Sequence, residues 1–153
     1  MTAAGLVLAW VLLAHPDATM LDKVRFGAVA DAIVLESARA PLQAGTQASQ
    51  RLLGAIAEHE GHLREDVRRC SVTGDNDKAV TLFQLHPEAL GTFTRGEACA
   101  SDNVAARLAL SALRAGEKMC HGDLRCAVRL YASGTKKETR AAKEIWSLFR
   151  RLR

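Results

Sequence analysis

Two carboxylates stand two positions apart in a helix-forming stretch, Ile56-Ala57-Glu58-His59-Glu60-Gly61. Helical geometry separates their side chains. Glu60 follows Ile56 by four residues and Leu53 by seven, on the apolar stripe of Leu52, Leu53, Ile56 and Ala57. Glu58 follows Gly54 by four and Arg51 by seven, so the spacing turns it outward. A carboxylate on a buried stripe costs free energy unless it is paired, protonated or used. Apolar neighbours and the negative end of the helix dipole both disfavour its charged form, so Glu60 is expected to hold its proton to unusually high pH. A glutamic acid protonated near neutral pH is what protonation of a glycosidic oxygen requires. The competing reading is a helix that stops short and leaves Glu60 solvated. On the stripe alone that reading is preferred, because structural environments also perturb carboxylates.

Other chemistry is less well supported by spacing. His59, Glu60 and His62 read His-Glu-x-His, with the imidazoles three apart and no third ligand in view, so zinc is not expected. No metal or organic cofactor is implied. Asp75 lies in a turn-forming cluster with Gly74, Asn76 and Asp77, where an aspartate commonly binds its own loop.

The elements that must hold these residues are mostly helical. Val24, Ala28, Ala32 and Leu35 recur at helical spacing over 21–36, and Pro41 ends or follows that element. A helix is expected over 46–60, with Gly61 as its left-handed stop. Residues 70–85 differ: turn residues are followed by Val80-Thr81-Leu82-Phe83-Gln84-Leu85, a short β-prone run. Ser101-Asp102 caps a helix with Val104, Leu108 and Leu113 on its buried side. Leu124, Ala127, Val128 and Tyr131 mark another helix, which Gly134 ends. Ala142, Ile145, Phe149 and Leu152 form one face of a basic C-terminal helix. The fold class expected is α+β, predominantly helical, with one small irregular or β segment near 70–85.

Four blocks in order resemble the lysozyme-like superfamily, specifically soluble lytic transglycosylases and goose-type lysozymes. The helix ending in Glu58-His59-Glu60 is similar to the one that ends in that family's catalytic Glu, although Gly61 stands where the family usually has Ser. Leu82-Phe83-Gln84-Leu85 is similar to its Gly-Leu-Met-Gln segment, with Thr81 for Gly and Phe83 for Met. Asp102-Asn103-Val104-Ala105-Ala106 resembles its Asn-x-x-Ala helix start, and Tyr131-Ala132-Ser133-Gly134 its Tyr-Asn-Ala-Gly motif. Each block is weak alone; their order and spacing over 48–135 carry the resemblance.

The resemblance implies one lysozyme-like domain over 1–153: N-terminal helices (1–45), a catalytic core (46–135) and the basic C-terminal helix (136–153). It implies cleavage of the β-1,4 bond between N-acetylmuramic acid and N-acetylglucosamine in peptidoglycan glycan strands. Glu60 would be the acid, Gln84 and Tyr131 would shape the sugar cleft, and the backbone of Thr81 and Phe83 would line it. Asp75 matches a Gly-Asp of goose-type enzymes that is implicated in placing water. An inverting hydrolase needs such a second carboxylate about 6.5–9.5 Å from the acid; a transglycosylase does not. His86 stands where some goose-type enzymes carry a further carboxylate, so hydrolysis and transglycosylation both stay open. So does a wall-binding or virion module that keeps the fold without turnover.

Composition bounds the remaining possibilities. The chain has 153 residues and a net charge of +4, which suits a polyanionic partner without choosing one. Lys136, Lys137, Arg140, Lys143, Arg150, Arg151 and Arg153 make a basic run. It reads as a solvated face, or as a hold on an anionic wall polymer; nucleic acid is not expected, for want of interleaved aromatics. No integral membrane span is expected, because the apolar N-terminal stretch is too short; it reads as a packed first helix, with a secretion signal as the alternative. The four cysteines form no CxxC pair. Cys120 with Cys126 and Cys70 with Cys99 could bridge in an oxidising compartment, and free buried thiols are the other reading. The expected location is periplasm, cell wall or exterior, a phage virion or lysin included. Oligomeric state is not legible.

Overall fold

The computed structural model describes residues 3–152. Its helices are α1 (Ala3–Ala14), α2 (Met20–Arg39), α3 (Thr46–Gly61), α4 (Glu65–Arg68), α5 (Arg95–Ala100), α6 (Asp102–Met119), α7 (Leu124–Ser133) and α8 (Arg140–Arg151), with a 3-10 turn at Pro87–Ala89. The chain is mostly helical, as its Ala- and Leu-rich composition leads one to expect.

The central element is α3. Leu52, Leu53, Ala55, Ile56 and Ala57 are all fully buried, because α3 is apolar nearly all round in its middle turns and α1, α2, α6 and α8 close over it. Val7 and Val11 pack α1 into this core, while Ala142, Ile145 and Phe149 bring in α8 by the face its spacing predicts. Helix starts are set by side-chain caps: Thr19 with Asp22 and Thr94 with Glu97 form capping boxes, and Ser101, Asp123 and Thr139 accept from the first-turn amides of α6, α7 and α8.

Two disulfides, Cys70–Cys99 and Cys120–Cys126, join Cα atoms 5.7 and 5.8 Å apart. The first ties the loop after α4 to α5; the second clamps the turn from α6 into α7. No described helix is long and apolar enough to cross a membrane.

Four expectations need correction. The segment at 70–85 is irregular, one of the two forms expected, but the β half of the α+β class is missing: among the described residues only isolated bridges occur, Leu42 with Gly45, Gly74 with Ala79 and Val80 with Leu85. Val80, Thr81, Leu82, Phe83 and Leu85 are all buried, and a strand with alternating faces could not bury consecutive side chains against one core. Left-handed backbone at Thr81 and Gln84 (φ 68° and 48°) folds the run into a turn instead.

Second, α2 buries a different face from the one predicted. Of the predicted stripe Ala32 is buried, but Val24, Ala28 and Leu35 are exposed, and Phe26, Val29, Ala30 and Ile33 are buried together with Glu36. Apolar residues occupy both sides of α2, and the charged Glu36 hid the true stripe. Its carboxylate is held by Arg107 at 3.0 Å and Arg39 at 3.2 Å. Third, the left-handed cap of α3 is His62 (φ 45°), with Gly61 still helical. Fourth, Glu58 does not turn to solvent: it accepts from His15 Nε2 at 2.8 Å, pinning the end of α1 to α3.

Candidate active site

Glu60 occupies the last turn of the central helix, with its side chain 22% exposed. Burial holds its carboxyl above the ordinary glutamate range. Its neighbour in charge is His59, whose Nε2 lies 4.0 Å from Glu60 Oε1 and whose Nδ1 lies 3.5 Å from Glu144 on α8. Burial lowers the His59 pKa, against the pull of Glu144. Glu144 is itself kept ionised by its hydrogen bond with Arg140. Glu60 thus sits beside an imidazole whose charged form burial disfavours, and among the described residues it has no ion pair with an Arg or Lys.

The turn at 80–85 lies directly against the end of α3. A Cβ on Gly61 would stand 2.6 Å from Leu82 Cδ2 and 3.0 Å from Leu82 Cα. Gly61 is therefore a site of close approach, and a side chain there would lift the turn off the helix. The turn is closed by Val80 and Leu85, each amide donating to the other's carbonyl at 3.0 and 2.8 Å. Within it, Thr81 is buried and Phe83 sends its ring into the core, which leaves the Phe83 carbonyl to meet Tyr131.

Tyr131 Oη donates to that carbonyl at 2.6 Å. Burial raises the tyrosine pKa, and the charge of Glu60 adds to the rise, so the phenol stays neutral within electrostatic reach of the acid. Gln84 Nε2 donates to the Thr81 carbonyl at 3.1 Å, and its Oε1 lies over Gly74, where a Cβ would come within 2.0 Å. Both backbone carbonyls expected to line the cleft, Thr81 and Phe83, are thus engaged by Gln84 and Tyr131.

Gln84, His86 and Tyr131 line one groove of about 610 Å³, completed by Ala112, Ala115 and Met119. The structure brings Gln84 and Tyr131 together on this groove; Glu60 is not among the residues that line it and is related to it through its charge on Tyr131. Asp75 stands apart on the exposed tip of the preceding turn, its side chain 56% exposed and its Oδ2 3.7 Å from His86 Nδ1. Asp102 and Asn103 do start α6, but Asp102 is taken up by the buried Arg68, whose Nε donates to it at 2.8 Å while Nη1 reaches Glu65 at 2.9 Å.

Backbone strain is concentrated here. Of the described non-glycine residues with positive φ, all but His121 lie between 62 and 84: His62, Leu63, Cys70, Asp75, Asn76, Asp77, Thr81 and Gln84. Asp and Asn enter this region readily, but Leu63 and Thr81 do so at a cost of about 1–2 kcal/mol each. Such strain persists where the surroundings over-determine it, a common property of functional loops.

Sequence reasoning missed Glu144 and the role of His59. His59 adjoins Glu60 in sequence, which was a usable signal. Glu144 reaches the site only because α8 packs on α3, and no local pattern reports that. It also missed Trp146, which stands among Arg125, Lys143, Arg150 and Arg151 and supplies an aromatic beside the basic run. Comparison with protein families, with curated proteins and with solved structures finds no match for this chain.

Proposed function

We propose that this chain is a peptidoglycan-cleaving glycosidase of lysozyme-like type, with Glu60 as general acid. The observation that carries the reading is a half-buried glutamic acid at the end of the central helix. Its pKa is raised by burial, and its charge acts on Tyr131, which with Gln84 lines a groove. The motif order in the sequence supplies the substrate class.

Glu60 would protonate the glycosidic oxygen between N-acetylmuramic acid and N-acetylglucosamine as an oxocarbenium-like centre forms. Tyr131 fixes the Phe83 carbonyl and with it the wall of the groove. Gln84, bonded to Thr81 and seated over Gly74, holds the turn in the shape that presents this wall. Gly61, in place of serine, lets the turn close on the acid. The anomeric carbon is then attacked by water or by the muramyl hydroxyl. Asp75, paired loosely with His86, is the carboxylate available to place a water. The two disulfides support a location in an oxidising compartment such as the periplasm, cell wall or exterior.

The test is the product. Purified peptidoglycan incubated with the protein should release muropeptides, read by mass spectrometry. Reducing ends identify hydrolysis, with Asp75→Asn then costing much of the rate; 1,6-anhydro ends, lighter by one water, identify transglycosylation, with Asp75→Asn mattering little. No soluble muropeptide at any enzyme concentration would defeat the proposal and leave a binding module.

A further inference from the structure

The basic C-terminal helix carries a second concavity, away from the groove of Gln84 and Tyr131. Lys143, Trp146, Ser147, Arg150 and Arg151 of α8, with Arg125 of α7, enclose about 450 Å³. The cations around it are not alike. Arg125 is neutralised by Glu138 at 2.6 Å, and Arg140, farther up α8, by Glu144 at 2.7 Å. The side chains of Lys143, Arg150 and Arg151 have no carboxylate or hydrogen-bond partner among the described residues. Three uncompensated charges on one face repel one another, and a bound anion relieves that repulsion.

We propose that this groove binds a linear phosphodiester polyanion of the glycerol-phosphate type, as a site separate from the cleavage chemistry. Lys143 and Arg150 lie two turns apart, about 10 Å along the helix axis, which spans repeated charges on a chain rather than one small anion. Trp146 offers its ring between them for the apolar edge of a polyol or sugar unit; it packs on Phe149 with ring centroids 5.0 Å apart, which holds it in place. A lipid surface fits less well: the apolar face of α8, Ala142, Ile145 and Phe149, is buried in the core and cannot enter a bilayer. Nucleic acid fits less well too, because one tryptophan makes no series of stacking platforms.

The experiment uses the full chain carrying Glu60→Gln, so that the result does not depend on cleavage. Polyglycerol phosphate is the probe, compared with a single-stranded oligodeoxynucleotide of equal charge and with phosphatidylglycerol vesicles. At roughly 0.7 counterions released per phosphate contact, three contacts predict an affinity loss on the order of 20-fold between about 50 and 200 mM salt. The combined K143Q, R150Q and R151Q variant should bind at least about 10-fold more weakly and lose most of that salt dependence. K23Q, K78Q and K118Q together remove the same charge from other exposed positions; that variant should stay within about threefold of the parent. Circular dichroism checks that both variants are folded. An equal loss in the two variants, tighter binding of the oligonucleotide or the vesicles, or no binding of polyglycerol phosphate would each overturn the proposal.

Discussion

Gly61→Ala tests whether the turn at 80–85 is truly seated on the end of α3. For an unstrained glycine within a helix, alanine stabilises by about 0.8–1 kcal/mol. Here the new methyl would stand 2.6 Å from Leu82 Cδ2, 3.0 Å from Leu82 Cα and 3.2 Å from Leu82 O. Leu82 is 2% exposed, so its side chain has no free space to rotate into, and the backbone contacts must also give. Overpacking of this kind costs typically about 1–3 kcal/mol. Set against the helix gain, the net is a destabilisation of up to about 2 kcal/mol. Gly27 on α2 provides the control, since a Cβ there meets nothing within 4 Å and Gly27→Ala should stabilise by about 0.8–1 kcal/mol. Urea unfolding with equal m-values across wild type and both variants reads the two effects on one scale. The loss at Gly61 should be accompanied by reduced muropeptide release, because the displaced turn carries the Phe83 carbonyl and Gln84. A Gly61→Ala protein as stabilised as Gly27→Ala would refute the close approach and, with it, the account of why serine is absent there.

Three further outcomes follow from the same contacts. Tyr131→Phe removes the 2.6 Å bond to the Phe83 carbonyl and leaves that carbonyl without its donor; stability should fall by about 1–3 kcal/mol in urea unfolding, and activity should fall with it. Replacing Cys70 and Cys99 by serine opens a loop of sequence separation 29 and should cost about 3.6 kcal/mol by loop entropy, whereas opening Cys120–Cys126, separation 6, should cost about 2.2 kcal/mol; equal losses in thermal unfolding would contradict this ordering. Burial alone would raise the Glu36 carboxyl, but Arg107 and Arg39 hold it below the usual range. Its folded pKa is therefore depressed, so its stabilisation is present above the ordinary glutamate pKa and lost as pH falls through the depressed value. The stability gap between wild type and Glu36→Gln should accordingly narrow on acidification, and a gap constant with pH would refute the assignment.

Helix positions were legible because they rest on local periodicity. The stripe of Leu52, Leu53, Ile56 and Ala57 allowed an inward Glu60, but alone it favoured a solvated one, because the burial of Glu60 depends on elements that the stripe does not report. The buried faces of α6, α7 and α8 follow in the same way. What failed was what depends on partners. The true face of α2 includes Glu36, which is buried only because Arg107 arrives from α6. Glu58 looks solvent-facing until His15 is brought to it by the packing of α1. The composition of 80–85 reads as strand, but with no neighbouring strand to pair with, burial in the core and the left-handed residues decide the conformation. The link between Tyr131 and the Phe83 carbonyl spans 48 residues and has no local signature.

The central claim, that Glu60 is the acid, is tested most directly by Glu60→Gln, which preserves shape and removes the proton. Clearing of a peptidoglycan suspension should fall by about 10²–10⁴-fold, the usual contribution of general acid catalysis, while sedimentation shows the variant still bound to the wall. Glu58→Gln, which alters the contact with His15 rather than the groove, should clear at close to the wild-type rate. Because catalysis needs protonated Glu60 and burial raises its pKa, wild-type clearing should decline as pH rises through that raised value; the residual rate of Glu60→Gln should show no such decline. Clearing by Glu60→Gln at the wild-type rate would contradict the account, whichever product were released.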